Sequence, residues 1–543
     1  MQRSLQRKLL GRNTARNAWL HMLDERLPRL EAPTTAAAWA RHARQTRADL
    51  LDLFFQGHPR ELLQEPPRVE WRGTIAGGEG YRIRKLRYEG YPGLWVPALL
   101  YEPTSLRGKV PAVLNPNGHH AGGKAMDYKQ ARCINLAKRG MLALNTEFIG
   151  MGELRADVEH LRIALLDLCG MAGIGVFYLL MKRGLDALLD HRHADPQPTL
   201  LIYNRHDDCC FQTKRTRVSI YRPARKVFEL LGAGDRLELY DNVDPGTHNY
   251  ERDNRSQLYR FLNKHFDLDT PEDDLPFVDE LRSEAELTVG LPADNATLHS
   301  LALGRLQQIR RQRERRRGQP PAAARRRLRR LLRLPGYDRV MSAKKGAETR
   351  RGGMTCQSYV LTVGPWQIPA TCLSPAAGAR GGLEIVISDE GRPGTASLAG
   401  VESGRRILAV DLFGTGEAAT TFQEPMLLAC AGERPLGILT AQLLAVAMWA
   451  SRSYRCPVVH LRAGGKSMPV VAQLAAALEP SRFVSLTTYA AFDSLDRLID
   501  LPISYANHSE LFCFGLLAEF DIPDLLRLSA PTELVDRARG PLR

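Results

Sequence analysis

The sequence lacks long apolar runs and paired cysteines. A membrane-spanning helix needs about 20 consecutive, mostly apolar residues, and the chain of 543 residues contains no such run. The first residues, MQRSLQRKLLGRN, are basic but are not followed by the apolar stretch of a secretory signal. These absences predict a cytoplasmic protein without a membrane span.

The cysteines are odd in number and scattered. There are nine of them, with no C-x-x-C pair and no alternation with histidine at the spacing of a zinc site. This pattern favours a reduced compartment and excludes a disulfide scaffold. We therefore expect no structural metal, and no motif predicts a cofactor.

Most of the positive charge lies in one segment. The net charge is +15, and residues 305–333 alone contain 13 arginines and one glutamate. The segment predicts two helices separated at Pro320-Pro321, forming a solvated linker between domains. The alternative is that it binds nucleic acid or another anion, although no aromatic residues interleave the arginines.

The spacing of apolar residues changes along the chain. Residues 1–68 have helical apolar spacing, with Thr34 or Thr35 as N-cap of one helix. From residue 69 apolar and polar residues alternate between glycine and proline turns, as in antiparallel strands. Apolar strands then alternate with helices up to residue 268. This order predicts an α/β fold with a mostly parallel sheet flanked by helices.

Two landmarks occur twice in the same order. Trp95 with Pro97-Ala98 and Pro103 recurs as Trp366 with Pro369-Ala370 and Pro375, and MLALNTEFIGMGE (141–153) recurs as ILAVDLFGTGE (407–417). We interpret this as an internal repeat. It predicts a helical N-terminal region (1–68), a first repeat (69–268), a linker with arginine-rich helices (269–345) and a second, degenerate repeat (346–543).

The first repeat contains an acid followed by a histidine. Asp207 and Asp208 come just after the apolar strand TLLIYN, and His248 lies in a turn after the next strand. Acid then histidine is the order that α/β-hydrolases use to activate a nucleophile. Asp207 is the preferred acid and Asp208 the alternative. Gly118 and His119, in VLNPNGHHAGG, fit an oxyanion loop, or else form a plain glycine-rich turn.

Together these motifs resemble a known family. PAVLNPNGHHAGGKAMDYKQARCINLAKRGMLALNTEFIGMGEL, YNRHDDCCF and DPGTHNYERDNR are similar to acetyl xylan esterase-like and dienelactone hydrolase-like α/β-hydrolases, in particular large bacterial members with two units. The resemblance covers most of residues 35–300 and is weaker through the second repeat. It implies hydrolysis of carboxylic esters, sugar-linked or of small acyl groups, with Asp207, His248 and the Gly118–His119 region in the catalytic roles.

The nucleophile of that family is missing. No serine in the chain has glycine at both −2 and +2. In the first repeat Asp195-Pro196-Gln197-Pro198 leads directly into TLLIYN, whereas the second repeat has a strand, CPVVHL, then RAGGKS and a helix. We therefore predict that the first repeat has lost central strands and the serine elbow between Pro196 and Pro198.

The second repeat offers no clear substitute for that serine. Its elbow position falls at Ala463-Gly464-Gly465, and Ser467 lies beyond the turn with Pro469 at +2. The sequence thus predicts a protein of ester-hydrolase type whose activity is lost or impaired. The alternatives are a non-catalytic pseudoenzyme or gene remnant, and a protein that binds nucleic acid or anions through residues 305–333.

Overall fold

A computed structural model describes most of the chain. The described residues are 2–28, 33–118, 120–156, 160–191, 194–195, 199–208, 211–316, 318–337, 339–351, 353–379, 381–398, 404–501 and 503–537. His119 and the Pro196–Pro198 junction, both singled out in the sequence, lie outside these ranges, as do Cys209 and Cys210.

Strands and helices alternate along most of the chain. The strands are β1 Val69–Ala76, β2 Tyr81–Tyr91, β3 Leu94–Pro103, β4 Val110–Pro116, β5 Leu142–Thr146, β6 Ala194–Asp195, β7 Thr199–Asn204, β8 Leu237–Asn242, β9 Ser342–Arg351, β10 Met354–Val363, β11 Trp366–Pro375, β12 Leu383–Ser388, β13 Arg406–Val410, β14 Val459–Gly464, β15 Ser485–Tyr489 and β16 Glu533–Arg537. The helices are α1 Gln2–Leu5, α2 Thr14–Arg26, α3 Ala36–Phe54, α4 Asp127–Lys138, α5 Ile163–Leu168, α6 Gly173–Leu189, α7 Thr213–Thr216, α8 Arg222–Leu230, α9 Arg252–Phe266, α10 Glu284–Leu287, α11 Leu298–Arg316, α12 Pro321–Leu331, α13 Gln423–Cys430, α14 Pro435–Ser453, α15 Ser467–Leu478, α16 Arg497–Asp500, α17 Leu516–Glu519 and α18 Ile522–Leu528.

The chain divides into two compact units. The first unit comprises Arg29–Ile163 and Ala172–Ser300, and the second comprises Met1–Pro28, Ala164–Met171 and Leu301–Arg543. This grouping differs from the division predicted from the sequence, because α1 and α2 belong with the second unit whereas α3 belongs with the first. Thr35 caps α3 as expected, its hydroxyl accepting the N–H of Ala38 at 3.2 Å.

The first unit has a six-stranded sheet in the order β1-β2-β3-β5-β4-β6. Strands β1 to β3 form an antiparallel meander, β5 is antiparallel to β3, and β4 runs parallel to β5 and to the two-residue strand β6. Strands β7 and β8 pair in parallel with each other as a separate two-stranded sheet. Helix α4 packs on the larger sheet through Cys133 and Ile134, which are fully buried.

The second unit has an eight-stranded sheet in the order β16-β15-β14-β12-β13-β11-β10-β9. The five strands from β13 to β16 across this sheet are parallel. Strand β12 is buried along its whole length and α15 is buried at every position, as expected for a parallel sheet covered by helices. The predicted α/β fold of parallel sheets flanked by helices is therefore confirmed.

The arginine-rich segment is helical with a break at Pro320, as predicted. It is not a solvated linker, however, because it belongs to the second unit and several of its arginines contact other residues of that unit. Arg313 lies 3.0 Å from Asp496 and 2.9 Å from Asp521. Arg325 donates to the carbonyl oxygens of Ala477 and Leu528 at 2.9 and 2.8 Å. These contacts neutralise or occupy much of the charge that suggested an anion-binding face.

Within the described ranges, no helix combines the length and the apolarity needed to cross a bilayer.

Candidate functional site

The ends of β7 and β8 bring Asp207 and His248 together. These strands are parallel and paired from Thr199 opposite Leu237 to Asn204 opposite Asn242, so the turns that follow them leave the same edge. Oδ2 of Asp207 lies 2.9 Å from Nδ1 of His248. A carboxylate at this nitrogen orients the imidazole and favours a proton on Nδ1, which leaves Nε2 to accept one.

The turn that carries His248 is held by backbone contacts. Gly246 has a φ of +73°, a value that L side chains rarely adopt. Its N–H donates to Oδ1 of Asn242 at 2.9 Å, and its carbonyl accepts the N–H of His206 at 2.8 Å. The glycine thus lets the chain fold back so that His248 faces the end of β7.

The two candidate acids differ in their surroundings. Asp207 is buried and contacts His248, whereas Asp208 is exposed. The structure therefore pairs the histidine with Asp207, the residue preferred from the sequence, and leaves Asp208 facing solvent.

His248 is open on its other side. Its side chain is 59% exposed, against 3% for Asp207. Among the described residues, none places a hydroxyl or thiol in hydrogen-bond contact with the ring. Cys133 and Cys169 lie elsewhere in apolar cores, where burial raises the pKa of the Cys133 thiol to about 11 and that of Cys169 to about 12. Such thiols are protonated and inert at neutral pH.

Gly118 follows β4 on an exposed turn. Its carbonyl oxygen accepts the N–H of His120 at 2.9 Å and lies 3.4 Å from Nζ of Lys129. Its own N–H donates to no acceptor in the described part of the chain, so it is available to a ligand oxygen. Burial lowers the pKa of the Lys129 ammonium to about 8, although the carboxylate of Glu147 opposes this shift.

A buried ion cluster, not anticipated from the sequence, lies next to this turn. The ammonium of Lys124 is 3.2 Å from Glu147 and 2.5 Å from Glu153, and all three side chains are largely buried. Burial raises the pKa of Glu147 even though Lys124 faces it. Gly123 and Gly152 lie against the carboxylate of Glu147. A Cβ added at either position would be 2.0 Å from one of its oxygens.

The second unit contains the same arrangement. Arg392 contacts Asp411 at 3.0 Å and also pairs with Glu417. Gly391 and Gly416 flank Asp411, where an added Cβ would come within 2.4 and 2.2 Å of Oδ1. The sequence signal was the repeated Gly-x-Gly-Glu, together with a glycine followed by a cation after β4 and after β12. The repeat itself indicates the Gly-x-Gly-Glu part, whereas the cation follows a single glycine and forms no pattern of its own.

The elbow of the second unit is occupied by an internal carboxylate. Between β14 and α15, Gly465 has a φ of +108°, and a Cβ there would lie 2.3 Å from Cγ of Asp389. The carboxylate of Asp389 accepts the N–H groups of Lys466 at 2.6 Å, Ser467 at 3.2 Å and Met468 at 2.8 Å. The amides that could stabilise an oxyanion in a hydrolase are therefore already satisfied.

Ser467 lies at the start of α15, beside a small cavity. Its Oγ is 3.1 Å from Nδ1 of His508 and donates to the carboxylate of Glu510. These residues border a cavity of about 120 Å³. Burial raises the pKa of Glu510, and its carboxylate lies 4.0 Å from Nδ1 of His508. Serine and acid thus approach the same ring nitrogen, unlike a catalytic triad, in which they bind opposite nitrogens.

The described residues contain no cluster of three or more histidine, cysteine, aspartate or glutamate side chains arranged to hold a metal ion.

Comparison with known proteins gives distant structural likenesses. No family model matches the chain, and no curated protein matches it. A solved protein of Bacteroides fragilis, assigned as an acetyl xylan esterase, is similar at 14% identity over 46% of this chain and 77% of its own, with a TM-score of 0.36.

Two other solved structures are similar to a comparable extent. Acetyl xylan esterase 1 from Thermoanaerobacterium has 14% identity over 40% of this chain and 85% of its own, with a TM-score of 0.26. A CE15 glucuronoyl esterase from Teredinibacter turnerae has 15% identity over 40% of this chain and 66% of its own, with a TM-score of 0.30.

Proposed function

We propose that the chain is of carboxylic-ester hydrolase type, acting on sugar-linked or small acyl esters in its lineage, and that its own turnover is lost or impaired. One observation carries this proposal: Asp207 and His248 form an acid–histidine pair whose ring is open to solvent and contacts no described hydroxyl or thiol.

Contacts within the first unit support the proposed roles. Asp207 holds the proton of His248 at Nδ1, so that Nε2 is the basic nitrogen. The N–H of Gly118, which donates to no described acceptor, would with the neighbouring His119 region donate to the oxygen of an ester carbonyl. Because no described side chain offers a nucleophile to this ring, the base in this proposal activates water and no covalent acyl intermediate forms.

The arrangement of strands supports the proposed loss of the nucleophile segment. In the second unit β12 pairs along its length with β14, the strand that leads to the elbow. In the first unit the corresponding neighbour of β4 is β6, which is only two residues long. The acid–histidine sheet of β7 and β8 follows directly in the chain. A missing strand–helix step between β6 and β7 accounts for both features.

The second unit does not replace the missing nucleophile in this proposal. The carboxylate of Asp389 fills the amide cluster at the start of α15, and Ser467 is almost fully buried. Attack on an ester by Ser467 would place a negative oxygen next to the charge of Asp389, which disfavours the transition state.

Hydrolysis of 4-nitrophenyl acetate by the full chain tests the proposal. We expect no burst of nitrophenol and a rate at least about 10³-fold below that of an intact serine esterase, because the nucleophile is the largest single loss from such a site. Slow, burst-free hydrolysis that decreases in His248→Ala would agree with activation of water by the pair.

His265→Ala provides the matched control. His265 is another histidine of the first unit paired with an acid, its Nε2 lying 3.2 Å from Glu238. A burst equal to the enzyme concentration that disappears in His248→Ala and Asp207→Asn, but not in His265→Ala, would show a working nucleophile and overturn the proposal.

A further inference from the structure

A second cavity lies between α12 and α14 in the second unit. Its volume is about 580 Å³, within the range of roughly 300–1,000 Å³ that small-ligand sites occupy. We call it the arginine groove and define it by Arg330, Arg333 and Arg482 on its rim and Ala441, Leu444 and Met448 on its floor. It shares no lining residue with the cavity beside Ser467.

The floor of the arginine groove is aliphatic. Ala441, Leu444 and Met448 lie at intervals of three and four residues along α14, which places them on one face of the helix. Ala441 is fully buried, whereas Leu444 and Met448 are only half-buried. The floor is therefore a recessed apolar strip that part of a ligand could cover, with a favourable free energy for each apolar group buried.

The rim is positively charged. Four arginines border the groove, against a single acid, Glu479. Glu479 is already engaged, since it pairs with Arg329 and lies 3.4 Å from Arg482. Arg333 donates to the carbonyl of Gly432. Arg330 is exposed, and its guanidinium forms no hydrogen bond or ion pair with any described residue, so its five N–H donors remain available.

A cationic rim above an apolar floor defines the chemistry of the ligand. A guanidinium binds a carboxylate through two parallel hydrogen bonds, and a buried aliphatic strip favours a hydrocarbon chain. Single-stranded nucleic acid fits poorly, because Tyr337 is the one aromatic residue in the described lining. It is half-buried and its hydroxyl accepts the Nε1–H of Trp366 at 3.3 Å, so successive bases have no row of rings on which to stack. A membrane surface also fits poorly, because the apolar strip is recessed and cannot enter a bilayer.

We propose that the arginine groove binds one molecule of a long-chain carboxylate. The carboxylate contacts Arg330 and Arg333, and the hydrocarbon chain lies on Leu444 and Met448 of α14. This binding does not depend on any ester hydrolysis by the first unit, since every residue that carries it belongs to the second unit.

Calorimetric titration of the full chain with laurate, below its critical micelle concentration, tests the proposal. We expect one site per chain, weakened by added salt because the rim is exposed. Binding should strengthen roughly tenfold for every two methylene groups added between octanoate and laurate. Dodecylammonium, which has the same chain and the opposite charge, should not bind.

Arg330→Glu and Arg326→Glu form the matched pair of variants. Both residues are exposed arginines of α12, but only Arg330 borders the groove. We expect laurate affinity to fall about tenfold or more in Arg330→Glu and to stay within about twofold in Arg326→Glu. Leu444→Gln should weaken laurate binding and leave the salt dependence unchanged.

Several outcomes would overturn the proposal. These are no binding of laurate, equal binding of dodecylammonium, equal loss in the two arginine variants, or binding to anionic phosphatidylglycerol vesicles without binding of free laurate. The last would identify a membrane contact. The dependence on chain length and head-group charge is measured on the unaltered protein, so it decides the question even if a variant fails to fold.

Discussion

Two glycines enclose a buried carboxylate in each unit. In the first unit Gly123 and Gly152 leave room for Glu147, and in the second Gly391 and Gly416 do the same for Asp411. All four glycines have positive φ values. A glycine is needed at each position for two reasons: its positive φ, and the space that a Cβ would take from the carboxylate. Comparing alanine substitutions at glycines with and without a close neighbour separates the two effects.

Gly152→Ala should destabilise the first unit by about 2–4 kcal/mol, because it adds backbone strain and forces a Cβ against Glu147. Gly140→Ala is the matched control, since Gly140 has a φ of +82° with no atom within 4 Å of an added Cβ. It should cost only the strain, about 1–2 kcal/mol. Urea unfolding measures both. Equal losses would mean that contact with Glu147 does not matter.

Lys129 predicts a stability that depends on alkaline pH. Burial lowers its pKa from 10.5 to about 8, so between these values the unfolded chain binds more protons than the folded chain. The stability of the folded chain is therefore greatest above the unfolded pKa of 10.5, where Lys129 is neutral in both states. It decreases as the pH falls to about 8, because the buried ammonium then becomes charged. Relative to Lys129→Met, the parent protein should gain roughly 1–2 kcal/mol between pH 8 and 10.5.

Chemical unfolding across this pH range checks the gain. Lys226→Met removes an exposed lysine of the same unit and should leave the pH profile of the parent unchanged. A Lys129→Met profile parallel to that of the parent would contradict the lowered pKa.

At the scale of the element, the start of α15 depends on a residue from another strand end. Three successive N–H groups of this helix are satisfied by Asp389, which follows β12. The first N–H groups of a helix have no partner within it and carry partial positive charge. The helix therefore obtains its cap from a residue 78 positions earlier, and not from the residue before it.

Asp389→Ala should lower the stability of the second unit by about 1–2 kcal/mol, because it leaves these N–H groups without an acceptor. It also opens a small anion site, so millimolar formate should restore part of the loss in a thermal melt. Asp493→Ala, which removes an exposed acid paired with Arg497, is the control and should not respond to formate. A formate effect of equal size in both variants would count against the assignment.

The sequence predicted elements well where the pattern is local. Alternation identified β1 to β3, and Pro320-Pro321 correctly marked the break between α11 and α12. The approach of Asp207 to His248 also follows from chain order, because each comes just after one of two parallel, paired strands. In such cases the residues near in space are the ends of consecutive strands.

Contacts that depend on long-range packing left no sequence pattern. Ser467 meets His508 and Glu510 about forty residues further along the chain, beyond α15, β15 and α16. The cation of each buried cluster was missed for a similar reason. In the sequence Lys124 and Arg392 resemble ordinary surface residues, but in the fold both are almost fully buried.

At the scale of the whole molecule, position decides what the positive charge does. The segment with 13 arginines suggested a polyanion site. In the structure Arg310 and Arg313 share Asp496, while Arg327 and Arg329 pair with Glu519 and Glu479. Much of the charge therefore stabilises the second unit, and net charge alone does not predict a partner.

Arg313→Ala should destabilise the second unit by about 2–3 kcal/mol, because it leaves Asp496 and Asp521 mostly buried with less compensation. Arg311→Ala, which removes an exposed arginine two positions away, should change stability by less than about 0.5 kcal/mol. Thermal and urea unfolding compare the two. The opposite ranking, with salt-sensitive nucleic-acid binding lost in Arg311→Ala, would restore the polyanion hypothesis.

The separate sheet of β7 and β8 can preserve the acid–histidine pair in evolution independently of the rest of the site. Asp207 and His248 are held by two neighbouring strands and one return turn, all within about fifty consecutive residues. Their alignment does not require the strand that would carry a nucleophile. Evolution can therefore remove a reaction while leaving the distance between its acid and its base unchanged. Under the proposed loss of the nucleophile segment, the acid–histidine pair alone does not report on catalysis, and a rate measurement is needed.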